Sequence, residues 1–214
     1  MKRFLTACAL VAFAASNSAL ADPAVPPVPA GAYTLDKAHA SLLFRVNHIG
    51  FSNFTARFAQ FDARLKFDPA HPTASSVTAT IDARSIGIDN APAGFLDTLR
   101  GGQWLNAVQF PQMTFRSTKI ELTGANSARI NGALSFRGVT HPVSLDAKFN
   151  GGYAGNQYDP NARIGFSAHG SLKRSAFGAA EGIPAPGTTM GVSDDVEIII
   201  EAEFNGPPLA GAAK

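Results

Sequence analysis

The sequence predicts an all-β domain, a sandwich or a closed barrel, on three observations. Apolar and polar residues alternate with a period of two in eight or more segments, as they do in strands with one buried face. Turn formers separate those segments: Asp68-Pro69, Gly124 to Asn126, Gly151-Gly152 and Asp159-Pro160. One stretch alone, Pro92 to Asn106, has helical spacing, too little to cover a sheet with helices.

In chain order, Lys2-Arg3, the apolar run Phe4 to Ala15 and the small-x-small site Ala19-Leu20-Ala21 have the form of a secretory signal peptide over residues 1–21. Residues 22–32 read as an extended leader, with prolines at 23, 26, 27 and 29. The domain follows as residues 33–205. In its first strand Leu42, Phe44, Val46 and His48 share a face; Ala63, Leu65 and Phe67 come next, then Val77, Ala79 and Ile81. Pro92 to Asn106 places Phe95, Leu96, Leu99 and Trp104-Leu105 at helical spacing. Gly101-Gly102 breaks it into two short helices that would cap one end. Strands resume with Met113 and Phe115, with Ile130, Leu134 and Phe136 across Gly132, and with Val143, Leu145, Ala147 and Phe149. Ile164, Phe166, Ala168 and Leu172 follow, and Val196, Ile198, Ile200, Ala202 and Phe204 close the pattern with Glu197, Glu201 and Glu203 on the opposite face. Residues 206–214 read as a flexible tail.

Composition excludes several classes. With 45% hydrophobic and 16% charged residues among 214, the chain is neither a disordered charged tail nor a coiled coil. Cleavage after Ala21 removes Lys2 and Arg3, leaving 16 basic against 16 acidic side chains. Without a basic face, and with Lys173-Arg174 as the longest basic cluster, no nucleic-acid partner is expected. The single cysteine, Cys8, leaves with the signal peptide, so no disulfide or thiolate site is expected in the mature protein. Leu5-Thr6-Ala7-Cys8 has the residue types of a lipoprotein box but lacks the apolar segment that should precede it.

The chain carries 16 Phe against three Tyr and one Trp, and 14 of the Phe lie beyond the signal peptide. Phe suits surfaces that never meet water. An eight-stranded barrel has an interior that side chains can fill or that can hold one small ligand. Ala56, Ala63, Ala79, Gly132, Ala147, Ala168 and Ala202 occupy inward positions, which leaves room beside the Phe rings. A long hydrocarbon suits such a space, since burial contributes roughly 0.8 kcal/mol per CH₂. About twenty carbons then exceed ~10 kcal/mol gross, against association costs of ~4–15 kcal/mol.

Several runs resemble the YceI-like family. They are Tyr33-x-Leu35-Asp36-x-x-His39-x-Ser41, Phe44-x-Val46-x-His48-x-Gly50-Phe51-Ser52, and the stretch from Phe95-Leu96-Asp97 through Trp104-Leu105 to Phe110-Pro111-x-Met113-x-Phe115-Arg116-Ser117. Gly132-x-Leu134-x-Phe136-Arg137-Gly138-Val139-Thr140-His141-Pro142-Val143 is the most diagnostic. Arg174-Ser175-x-Phe177-Gly178 and Val192 to Ile198 complete the order. Ala56 and Ser193 stand where the family more often has Gly. The resemblance implies an extended eight-stranded antiparallel lipocalin-like barrel, exported to the periplasm, holding a polyisoprenoid or an isoprenoid quinone in an apolar pore.

The histidines His39, His48, His71, His141 and His169 show no ligand-pair spacing, so no metal site is expected. There is no Gly-x-Ser-x-Gly, and Asp97 with Arg100 reads as an i, i+3 pair. Gly151-Gly152-Tyr153-Ala154-Gly155 opens no helix and is no phosphate cradle. His48, Arg45 or Arg174 could meet a polar head group at the barrel mouth. The expected function is a carrier without catalysis and without a cofactor other than its lipid, in transient contact with a membrane surface; the oligomeric state, a homodimer included, is open. The expected ligand-binding residues are Phe44, Val46, His48, Phe58, Ile81, Phe115, Phe136 and Phe166, with Phe95, Leu99 and Trp104 as a lid. Two alternatives stand beside it: an enzyme using His48 as general base on an apolar substrate, and a ligand-free structural or stress-response protein with a dry core.

Overall fold

The computed structural model describes residues 28–208; the expected signal peptide, most of the expected leader and residues 209–214 lie outside the described residues. Ten strands follow in order: β1 (Gly31–His48), β2 (Ser52–Phe58), β3 (Phe61–Phe67), β4 (Ser76–Asp82), β5 (Ile86–Gly87), β6 (Gln112–Gly124), β7 (Ser127–Phe136), β8 (Val139–Tyr153), β9 (Asn161–Lys173) and β10 (Val192–Pro208). All pairings between them are antiparallel, and β10 pairs back onto β1 to close the barrel. The wall has eight strands. β2 and β3 both pair with β1 and form one wall strand broken at Ala59-Gln60, and β5 is a two-residue partner of β2. The eight-stranded antiparallel barrel is therefore the observed fold.

Two register features shape it. Leu35 pairs with Phe204 and Ala40 with Ala202, so β1 bulges outward over Asp36 to His39. The bulge changes parity: Tyr33 and Leu35 point inward before it, Leu42 and Phe44 after it. The β7–β8 turn is the two-residue pair Arg137-Gly138, both at positive φ (50° and 76°), which matches the twist of the flanking strands. Gly132 faces the Phe115 ring so closely that any Cβ there would overlap it.

Boundaries differ from the alternation pattern at both ends. Gly31 and Ala32 already pair with Phe67 and Lys66, so β1 begins inside the predicted leader. Gly206 to Pro208 continue β10, with Pro208 opposite Asn161, and are not tail. Proline and glycine obscure a strand in the sequence, but here Gly206 lies directly beneath the Tyr33 ring, where a side chain could not fit. The capping segment holds one helix, α1 (Phe95–Arg100), followed by a run of turns. Gly101 takes an extended conformation and ends the helix before Trp104.

Candidate functional site

The barrel core divides into two clusters. At the base, Val28, Tyr33, Leu35, Ile164, Ala202 and Phe204 are buried with Phe67, Phe149 and Phe166 packed on them. Phe67 stacks on Phe149 at 6.0 Å, and Phe166 meets Phe149, Phe67 and Phe204 at 5.4, 6.1 and 6.2 Å. These rings plug one end. Above them runs a cavity of about 620 Å³ along the barrel axis, with an almost continuous apolar wall.

All eleven residues expected at the binding site line this cavity. Phe44 stacks on Phe58 at 5.4 Å in the wall, and Phe136 packs on the buried Phe177 at 5.5 Å. Phe95 and Leu99 reach the cavity from α1, and Phe95 meets Phe54 edge-on at 6.5 Å. Phe166 is shared between the cavity floor and the base plug. Ala63, Ala147, Ala168 and Ala202 also line the cavity, so these small inward residues do leave space. Alternation alone would have added Leu134, Val143, Leu145, Ile198 and Ile200, which share the apolar faces already identified. Phe54 shares the parity of Ala56 and Phe58, and Phe61 that of Ala63 and Leu65, so extending the same alternation toward the break at Ala59-Gln60 would have found them as well.

Among the described residues, the polar side chains that line the cavity are His48, Trp104 and Arg174, all at the end opposite the plug. Arg174 is buried, and its guanidinium is occupied. Nε donates to the Ser193 carbonyl at 2.9 Å, Nη1 to the carbonyls of Ala179 and Glu181 at 2.7 Å each, and Nη2 to that of Val192 at 2.8 Å. Its Cζ lies 5.2 Å from the centroid of the Trp104 ring. Burial pulls its pKa below the ordinary guanidinium value. Arg174 thus uses four of its five N–H groups to pin the 174–191 connection over the mouth. Arg45 points away from the mouth: it faces Glu197 on the outer wall at 3.9 Å, because its parity is opposite to that of Phe44 and Val46. His48 sits exposed on the rim, and no carboxylate among the described residues lies within ion-pairing distance of it.

Outside the barrel, Asp36, His39 and Glu203 bring three potential metal ligands together. Arg163 already occupies the cluster, donating from Nη1 to Asp36 at 2.6 Å and to Glu203 at 2.9 Å. Hydrogen bonds from His39 and then Arg163 lower the Asp36 pKa to about 2. This is a charge network that clips the β1 bulge to β9 and β10. Asp97 accepts from Arg100 at 3.1 Å on α1, the i, i+3 pair expected.

A second cavity of about 430 Å³, with a mixed lining of charged, polar and apolar side chains, lies where β1 separates from the β2–β3 break. Residues 31–34 of β1 pair with β3 and residues 43–48 with β2; the intervening stretch has no partner on that side among the described residues. Lys37 and Asp62 bridge the gap at 3.1 Å, and Leu42, Phe58, Phe61 and Ile81 line both cavities.

A closed barrel with a plugged base, a short helix over the other end and an apolar axial pore is the architecture of a lipocalin-like barrel. The chain belongs to the YceI-like family, whose domain matches residues 33–204. It is 35% identical over 205 residues to a UPF0312 protein of Pectobacterium atrosepticum, covering 94% of this chain and 96% of that one. It is 36% identical over 177 residues to the protein YceI of Salmonella arizonae, covering 81% and 86%. Among solved structures, it is similar to BcnA of Burkholderia cenocepacia (TM-score 0.66, 26% identity, 79% of this chain and 98% of that one). A domain from Saccharophagus degradans described as polyisoprenoid-binding shares the fold at a TM-score of 0.56 and 14% identity, over 82% of this chain and 98% of that one.

Proposed function

We propose that this protein is an exported carrier that holds an isoprenoid lipid, a polyisoprenoid or an isoprenoid quinone, in the axial pore and catalyses no reaction. The observation that carries this reading is the 620 Å³ pore, whose wall is apolar from the base plug to His48 and Trp104. Its size falls in the range of small-molecule sites, and apolar burial of about 0.8 kcal/mol per CH₂ supplies the affinity. A polar head group belongs at the mouth, where His48 and the Trp104 indole are the polar groups not committed as Arg174 is. The solved domain described as polyisoprenoid-binding supports the reading at the level of fold. The general-base alternative lacks support: among the described residues no carboxylate partners His48 to orient it.

The test is solvent extraction of the mature protein, purified from the periplasmic fraction without detergent, followed by mass spectrometry. A stoichiometric isoprenoid is expected, and a chain starting at Asp22 would confirm export. Phe136→Asp places a carboxylate in the pore wall and should abolish lipid retention. A folded Phe136→Asp protein with unchanged lipid content would refute the pore as the site.

A further inference from the structure

We propose that the rim of the pore mouth is a membrane-docking surface that inserts apolar side chains into a lipid bilayer. This inference rests on the lipid-carrier reading and adds where the lipid enters. Four connections surround the mouth: the turn 49–51, the segment 83–111, the turn 137–138 and the segment 174–191. They touch one another in series. Ile49 donates its N–H to the Gly191 carbonyl at 2.8 Å, and the Trp104 ring faces both Gly182 and Arg174. Arg137 donates to the Gly102 carbonyl at 2.8 Å, and Gly138 packs against Phe110.

Three of these connections each project an apolar side chain into solvent: Phe51 is 84% exposed, Val108 91% and Met190 70%. Singly, such residues need no explanation. Here they crown one end of the barrel, beside the opening. Phe51 follows His48 by three residues and its N–H donates to the His48 carbonyl at 2.9 Å, which closes the turn and holds Phe51 beside a residue of the pore entrance. Pro92, also exposed, lines the pore itself. At the base end the exposed large residues are Leu122, near the end of strand β6, and Tyr158, on the β8–β9 connection, and the latter carries a hydroxyl.

Charge decides which kind of surface fits. The four connections hold Arg84, Arg100, Arg137 and Arg174 against Asp89, Asp97 and Glu181, and no lysine. Each arginine is engaged: Arg84 with Asp82, Arg100 with Asp97, Arg137 and Arg174 with backbone carbonyls. The rim is therefore nearly neutral and lacks the basic cluster that draws proteins to anionic lipids. It fits a bilayer by insertion of Phe51, Val108 and Met190, with little dependence on salt.

The experiment is flotation of the mature protein with vesicles of phosphatidylcholine alone and of phosphatidylcholine with phosphatidylglycerol, at low and high salt. The wild type should float with both, equally at both salt concentrations. Phe51→Ser should weaken partitioning roughly tenfold, and Phe51→Ser/Val108→Ser/Met190→Ser should stay with the vesicle-free fraction, with far-UV circular dichroism and melting unchanged. A triple variant that floats like the wild type overturns the proposal. So does flotation confined to phosphatidylglycerol and reversed by salt, or no flotation of the wild type, the result expected if the rim serves a protein partner. Lipid extraction of the same samples separates the two readings: a loaded protein that never floats overturns docking alone, whereas a floating protein without lipid overturns the carrier and leaves docking standing.

Discussion

The two ends of the barrel are built from the same residue types and do opposite things. At the base, aromatic rings interlock and nothing is left open: Tyr33 is 1% exposed, donates its hydroxyl to the Pro29 carbonyl at 2.7 Å, and lies over Gly206. At the mouth, Phe44, Phe54 and Phe95 are half-buried and border a cavity, under a six-residue helix and loops held by Arg174 and Arg137. The difference lies in the connections. The base is closed by aromatic rings from the walls and by the chain just ahead of β1, whereas the mouth is roofed by two long segments, 83–111 and 174–191, that rest on the rim and do not fill the lumen. Phe content therefore says how dry a surface is, and the connections say whether it is a plug or a pore.

That contrast can be broken from either side. The largest effect is expected at the base: Tyr33→Ala removes a buried ring and should destabilise the fold by about 3–5 kcal/mol, measured by denaturant unfolding. A smaller loss would mean that the plug is not the barrel's anchor. Arg174→Ala strips donors from four carbonyls at the mouth and should cost on the order of 2–4 kcal/mol. Proteolysis within 178–191 should rise at the same time.

The charge clip near the base comes next. Because the Asp36 pKa is lowered to about 2 in the folded protein, its contribution is fully present above the ordinary carboxylate value near 3.8 and is lost as pH falls toward 2. A loss of roughly 2 kcal/mol between about pH 4 and pH 2 is expected. Asp36→Asn should flatten that part of the stability profile, measured as melting temperature against pH. The smallest effect belongs to the lid: Leu99→Ala should cost about 1 kcal/mol or less, while speeding transfer of bound lipid to acceptor vesicles. A slowed or unchanged transfer rate would show that α1 does not gate the pore.

Much of this was legible in the residues because strand alternation is a local property. Val196 to Phe204 points its apolar face inward whatever surrounds it, and the eight expected residues that lie on strands reach the lumen for that reason; Phe95, Leu99 and Trp104 reach it from the capping segment. Local reading failed where tertiary partners override propensity. Gly31-Ala32 and Gly206 to Pro208 look like ends of the fold, yet strand pairing and the Tyr33 ring hold them in the wall. Trp104 has helical spacing, but Gly101 and the carbonyl contacts of Arg137 hold its segment as turns. Arg174 looked available to a head group, and four backbone carbonyls, two of them more than fifteen residues away at the start of β10, take four of its five N–H groups.

By itself the sequence determined which side of each strand is dry, since alternation needs only neighbouring residues and water to be expressed. Whether the dry faces meet or stand apart was decided by the tertiary structure. The space between opposite walls depends on strand number, on the bulge at Asp36 to His39 and on how each end is closed, quantities set by residues far apart in the chain.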